Sequence, residues 1–183
     1  KGLLAAAKTV ATVRKAHEYG IRVPGDVKVD FGAVMERMRR LRASISRHDS
    51  ARRYSDAGVD VFIGQGEFID RHQVQVEDQT LNFKRAVIAT GARAAAIPIP
   101  GLQETGYLTN ESVFSLTELP ARLGVIGAGP IGCEMAQAFG RFGSEVHLLE
   151  SFPQILGRED RDAAALVEKA LLQDGVHLVL NCS

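Results

Sequence analysis

The sequence predicts an α/β protein, three-layered around a parallel, doubly wound sheet, and three observations carry that prediction. Residues 123–180 alternate short apolar runs with amphipathic helical ones in the order β-α-β-α-β. A glycine pattern, Gly127-Ala128-Gly129-Pro130-Ile131-Gly132, lies between the first of those strands and the first helix. An acid, Glu150, ends the second strand.

Upstream of this block, Leu3, Leu4, Ala7, Val10, Ala11, Val13 and Ala16 recur at helical spacing as far as Gly20, where a glycine supplies a left-handed terminus. After the Pro24-Gly25 turn, Asp30 is the expected N-cap of a second helix with Val34, Met35, Met38, Leu41 and Ile45 on one side. Its arginines, interrupted by Glu36, Asp49 and Asp56, read as a solvated face. From Val59 the pattern shortens to five strand-like runs: Val59–Ile63, Glu67–Ile69, Gln73–Val76, Leu81–Phe83 and Ala86–Ala89. A turn-rich connection, Ala92 to Thr109, follows, and a domain boundary is expected near residues 115–120, dividing the chain into 1–116 and 117–183. Beyond it come strand Leu123–Ile126, helix Pro130–Phe142, strand Glu145–Leu149, helix Asp160–Leu172 and strand Val176–Leu180.

Composition narrows the function. With 45% hydrophobic and 24% charged residues over 183 positions, the chain has material for a core. Lys plus Arg and Asp plus Glu each number 22, so no net field gathers nucleic acid or an anionic membrane. No apolar stretch approaches the roughly 20 residues that span a bilayer, and a cytoplasmic setting is expected. The two cysteines, Cys133 and Cys182, match neither a disulfide framework nor a zinc motif and read as small buried hydrophobes, although Cys133, in the first turns of a helix, is a candidate for a lowered pKa. The five histidines, at 17, 48, 72, 147 and 177, show no diagnostic spacing to a nucleophile or carboxylate.

The glycine pattern acquires its meaning from its context. Gly127 permits a tight strand-to-helix turn, Gly129 lets backbone amides approach a pyrophosphate, and Gly132 allows the helix to pack on the strand. Pro130 suits a first helical position, and with Ala128 and Ile131 it completes the expected dinucleotide loop, whose amides and helix dipole favour a diphosphate. Glu150 is positioned to accept from ribose hydroxyls and to repel the extra phosphate of NADP, so NAD is the preferred form of NAD(P), with Arg158 and Arg161 near enough in sequence to compensate.

With these residues in view, the chain resembles the pyridine nucleotide-disulfide oxidoreductases. The resemblance is carried by Ala89-Thr90-Gly91-Ala92-Arg93, Ile99-Pro100-Gly101, and the run from Gly127 through Cys133-Glu134-Met135-Ala136. The wording around Gly106–Asn110 and Leu116–Pro120 looks most like the mercuric reductase-like branch, beside dihydrolipoamide dehydrogenase. The resemblance implies an internal fragment of a flavoprotein with two dinucleotide-binding, Rossmann-like domains. Residues 1–116 would be the later part of the first FAD-domain segment plus linker, and 117–183 the first half of the NAD(P) domain.

It implies FAD contacts at Gln65-Gly66 and at Thr90, Gly91, Ala92 and Arg93, and a catalytic pairing of Glu134 with Lys1 beside the flavin. It further implies electron flow from NAD(P)H through FAD to a cysteine pair upstream of Lys1. The acceptor is then a small molecule or small thiol, a disulfide or a metal ion such as mercuric ion. A homodimer is implied for the full-length protein, and no activity or flavin colour for the fragment alone. A flavin-linked NADH oxidase or ferredoxin-type reductase without a redox disulfide, or a non-catalytic NAD(H)-binding module, stand as alternatives.

Overall fold

A computed structural model describes residues 1–95 and 97–182. Its contacts divide the chain into two compact units, one of residues 1–41 with 103–183 and one of residues 42–102. No helix among the described residues is long and apolar enough to cross a membrane.

The larger unit is built on a parallel sheet of β4 (Arg122–Ile126), β5 (Glu145–Leu149) and β6 (Val176–Val179), in the order β4-β5-β6. Leu123 pairs with Val146 and Val146 with Val176, so alternate residues of the three strands fall in rows. Val146, Leu148 and Val176 face inward and are buried. Arg122, Gly124, Glu145 and His177, on the opposite face, are exposed. The inward face is covered by α4 (Pro130–Phe142) and α5 (Arg161–Gln173), as the β-α-β-α-β alternation requires.

Helix α4 ends where Gly143 takes φ 119°, a left-handed turn closed to any residue with a Cβ at comparable ease. The following Ser144 donates its hydroxyl to the Pro120 carbonyl at 2.6 Å, fixing the start of β4 to the end of α4. Asp174, after α5, accepts from Gln137 Nε2 at 2.8 Å and from Arg141 Nε at 3.0 Å, tying the two helices together at that end.

The outer side of α4 is covered in turn by α1 (Gly2–Arg14), and α2 (Phe31–Ser46) reaches it through Phe31. Leu3, Ala7, Phe31, Met35 and Met38 join Phe139 and Phe142 in one core. The Phe31 ring centroid lies 5.7 Å from that of Phe139 and 5.9 Å from that of Phe142, in tilted and edge-on arrangements that aromatic quadrupoles favour. Asp30 caps α2 as expected, its Oδ1 accepting from the Ala33 N–H at 2.9 Å. The first helix stops earlier than its apolar spacing predicts. A separate 3-10 turn, Ala16–Tyr19, carries the left-handed Gly20.

In the smaller unit only the middle of the expected strand block forms. β1 (Gly66–Phe68), β2 (Gln73–Val76) and β3 (Gln79–Asn82) make an antiparallel meander, preceded by the short α3 (Ala51–Asp56) capped by Ser50. Val59–Ile63 and Ala86–Ala89, expected as strands, are irregular, and Val87 is 91% exposed. A strand is stabilised by ladder hydrogen bonds to a neighbour, and neither segment has one among the described residues. The connection 92–109 is free of helix and strand among the described residues, and Ala96 within it lies outside them.

Truncating Phe139, which is fully buried among these aromatic rings, is expected to remove about 3–5 kcal/mol of stability. Val87→Ala, in the irregular exposed segment, should change it by less than about 0.5 kcal/mol. Urea unfolding followed by far-ultraviolet circular dichroism measures both.

Candidate dinucleotide site

The turn from β4 into α4 is held by its own backbone. Gly127 takes φ +94°, the left-handed region, and its N–H bonds to the Leu149 carbonyl at 2.8 Å. Gly132 is required for a different reason. A Cβ built there would drive into the Gly127 carbonyl, so only glycine lets the helix approach the turn that launches it. Gly129 differs from both: it has ordinary extended angles, φ −71° and ψ −179°, and a Cβ at this N-cap position would meet only open space. The protein does not fill that space.

Pro130 occupies the first helical turn, where its missing N–H costs nothing. The first helical bond is made by Cys133 N–H to the Gly129 carbonyl at 3.0 Å. The N–H groups of Gly129, Ile131 and Gly132 have no acceptor among the described residues. Together with the positive end of the α4 dipole they form a cradle for an anion. Pro130 and Ile131 are exposed at its rim.

Ala128 is the pivot. It is fully buried; its N–H donates to Glu150 Oε2 at 2.8 Å, and its carbonyl accepts from the Leu156 N–H at 2.8 Å and from Cys133 Sγ at 3.4 Å. Glu150, at the tip of β5, is thereby turned toward the glycine turn, the crevice outside the carboxyl ends of the strands. Its other oxygen, Oε1, accepts from Phe152 N–H and Ser151 Oγ, each at 3.2 Å. Burial by itself would raise the Glu150 pKa, but the Ala128 N–H, then those of Phe152 and Ser151, bring the carboxyl below its ordinary value of 4.5.

Cys133 is corrected by its surroundings. Burial and then the Glu150 carboxylate push its thiol up to about 11, so the helix terminus does not make it a reactive thiolate, and its role is packing and donation to Ala128.

Other expected positions are placed without being gathered. Lys1 is the N-cap residue of α1, and Glu134 lies exposed on α4, against which α1 packs; no ion pair joins the two. Gln65, Gly66, Thr90, Gly91, Ala92 and Arg93 are exposed in the smaller unit, with Gly91 at φ 71°, and no side-chain hydrogen bond connects them. Arg158 and Arg161, near Glu150 in sequence, are exposed and make no ion pair.

One cluster is absent from the sequence expectations. Glu145, His147 and His177, scattered by sequence spacing, converge on the open face of the sheet. The available signal was the Glu-x-His step, which places two side chains on one face of a strand, with His177 opposite in parallel register.

Two outcomes test this construction. Gly132→Ala should cost about 1–3 kcal/mol, because the new methyl meets backbone that cannot yield cheaply; chemical denaturation reads the loss. Glu150→Gln keeps an acceptor for Ala128 but removes the charge. Because the folded carboxyl titrates below its unfolded value of 4.5, the extra stability of the unsubstituted protein is fully present above that pH and lost as pH falls through the folded value. Melting temperatures of the two proteins should therefore converge in acid.

The chain as a whole is similar to known proteins. Residues 4–183 match the family model described as pyridine nucleotide-disulphide oxidoreductase. A mercuric reductase of Bacillus cereus is 40% identical over 124 residues, covering 68% of this chain and 20% of that protein. A dihydrolipoyl dehydrogenase of Acholeplasma laidlawii is 30% identical over 183 residues, covering 98% of this chain and 54% of its own length. Among solved structures, the Cu(II) complex of the HOCl-induced flavoprotein disulfide reductase RclA from Escherichia coli superposes with a TM-score of 0.77 at 30% identity, over 100% of this chain and 38% of that one. The chain thus spans from about a fifth to about half of the length of these relatives. With the match extending over nearly every residue, the chain belongs to the pyridine nucleotide-disulphide oxidoreductase family.

Proposed function

We propose that this chain is part of an FAD-dependent oxidoreductase that passes electrons from NAD(P)H, with NADH preferred, through FAD to a redox cysteine pair. A disulfide, a small thiol-derived substrate or a metal ion such as mercuric ion is the final acceptor, and the full-length protein works as a homodimer. The observation that carries the nicotinamide half is the mouth of α4. Three unpaired amides and an unfilled space at Gly129 lie beside a carboxylate held toward the same turn.

These residues fit a dinucleotide. The N–H groups of Gly129, Ile131 and Gly132 would hold the diphosphate. Glu150 would accept from the adenosine ribose hydroxyls, and its negative charge disfavours the additional phosphate of NADPH. When bound, the nicotinamide supplies a hydride and FAD provides the ring that takes it up.

Glu134, exposed on α4, is the residue of this chain proposed to stand beside the flavin edge, with Lys1 as its counter-charge. The proposed FAD contacts at Gln65-Gly66 and Thr90–Arg93 are supported by family resemblance. Residues 1–116 are proposed as FAD-domain sequence and linker and 117–183 as the first half of the NAD(P) domain. In this chain the helices of residues 2–14 and 31–41 nevertheless share a core with the latter.

Neither cysteine supports the redox role. Cys133 is buried with a raised pKa, and Cys182 donates to the Glu150 carbonyl at 3.2 Å. The redox pair is proposed, from the family resemblance, to lie upstream of Lys1.

Anaerobic flavin reduction by NADH in the full-length protein tests the proposal. Gly129→Ala should raise the NADH concentration for half-maximal reduction at least about tenfold with the melting temperature unchanged, because the methyl enters space that only the ligand would occupy. Flavin that stays oxidised under excess NADH would defeat the reading, as would a Gly129→Ala protein with undiminished affinity.

A further inference from the structure

The cluster on the open face of the sheet has the composition of a metal site. Glu145 and His147 lie two residues apart on β5, and His177 is the register partner of His147 on β6, so all three project from one face of two hydrogen-bonded strands. One ligand atom from each lies within 4.8 Å of the others. Glu145 Oε1 is 3.2 Å from His147 Nε2, and the two imidazoles stack with centroids 4.8 Å apart and planes inclined by 20°.

The neighbourhood favours convergence of these three groups. Glu145 has Arg122 as its register partner on β4, yet its carboxylate makes no ion pair with that guanidinium and is directed to His147. His177 is exposed and has no hydrogen bond among the described residues, so its ring turns without breaking one.

We infer that Glu145, His147 and His177 form a binding site for a divalent transition-metal cation of the zinc or copper class. The donor set of two imidazoles and one carboxylate is the combination that such borderline cations take, with water completing the shell. A tetrahedral ion with bonds of 2.0–2.1 Å sets neighbouring ligand atoms about 3.3 Å apart. The Glu145–His147 separation of 3.2 Å already meets that requirement, and the His177 ring closes the remainder by side-chain rotation.

The backbone does the orienting: cross-strand pairing fixes the Cα positions from which the ligands reach. The site lies toward the opposite end of β5 from Glu150: Glu145 is five residues and His147 three residues before it, roughly 16 and roughly 10 Å along the strand. Its three ligands are thus distinct from the residues of the glycine turn and from Glu150.

Calorimetric titration of the intact chain with Zn2+, and electron paramagnetic resonance of its Cu2+ adduct, test the inference. One equivalent should bind. His177→Ala and His147→Gln should each weaken Zn2+ binding at least about tenfold, while Cys182→Ser leaves it unchanged. The Cu2+ spectrum should carry imidazole-nitrogen couplings that disappear when both histidines are replaced. Glu145→Gln, an exposed and nearly isosteric change, provides a variant whose folding is not in question and should also weaken binding. Unaltered affinity in the double-histidine variant, or loss of binding on Cys182→Ser, would overturn the assignment.

Discussion

The peptide unit of Ala128 is held on both sides, and the crevice around it exists because of that. Its N–H is taken by a carboxylate 22 residues further on, and its carbonyl by an amide of the following loop and by a thiol one helical turn away. Burial of the methyl excludes water from these bonds, which makes each costly to lose. Strand β4, helix α4 and the loop after β5 thus meet at one residue. The amides of Gly129, Ile131 and Gly132 are left without an acceptor because the first turn of a helix has no preceding turn of carbonyls to take them.

Three glycines in this turn carry three distinct physical demands. Gly127 answers a torsional one, Gly132 a steric one imposed by the protein itself, and Gly129 a steric one that only a ligand would impose. The pattern G-x-G-x-x-G therefore joins two positions fixed by folding to one that, on the proposed reading, is fixed by binding. Glu150 shows the same double use: its hydrogen bonds to protein amides position it, and the same bonds outweigh the burial that would raise its pKa.

Where structure is local, the sequence displayed it. The alternation from Leu123 to Leu180, the Asp30 cap and the meander around Gln73–Val76 depend on neighbouring residues and were readable to within a residue or two. What depends on partners was not. Val59–Ile63 and Ala86–Ala89 have strand composition without a strand to pair with, and Leu41 and Ile45 continue an apolar stripe that the core leaves uncovered. Phe31, unremarkable beside the Asp30 cap, proves central because α2 brings it against Phe139 and Phe142. In the candidate site the glycines and Glu150 were legible, whereas the closure of the loop by Leu156, at φ 50°, and the meeting of His147 with His177 required the three-dimensional register.

The environment of Cys133 has a consequence for a protein whose relatives are named for handling disulfides and mercury. Moving a thiol from its ordinary value of 9.0 to about 11 lowers the fraction present as thiolate at neutral pH by roughly a hundredfold. A sulfur so placed is a poor nucleophile toward mixed disulfides and a poor trap for soft cations. It sits one turn into the helix that opens at the glycine turn, buried and held as the thiol. The helix therefore keeps its small, dense packing residue without presenting a reactive thiolate.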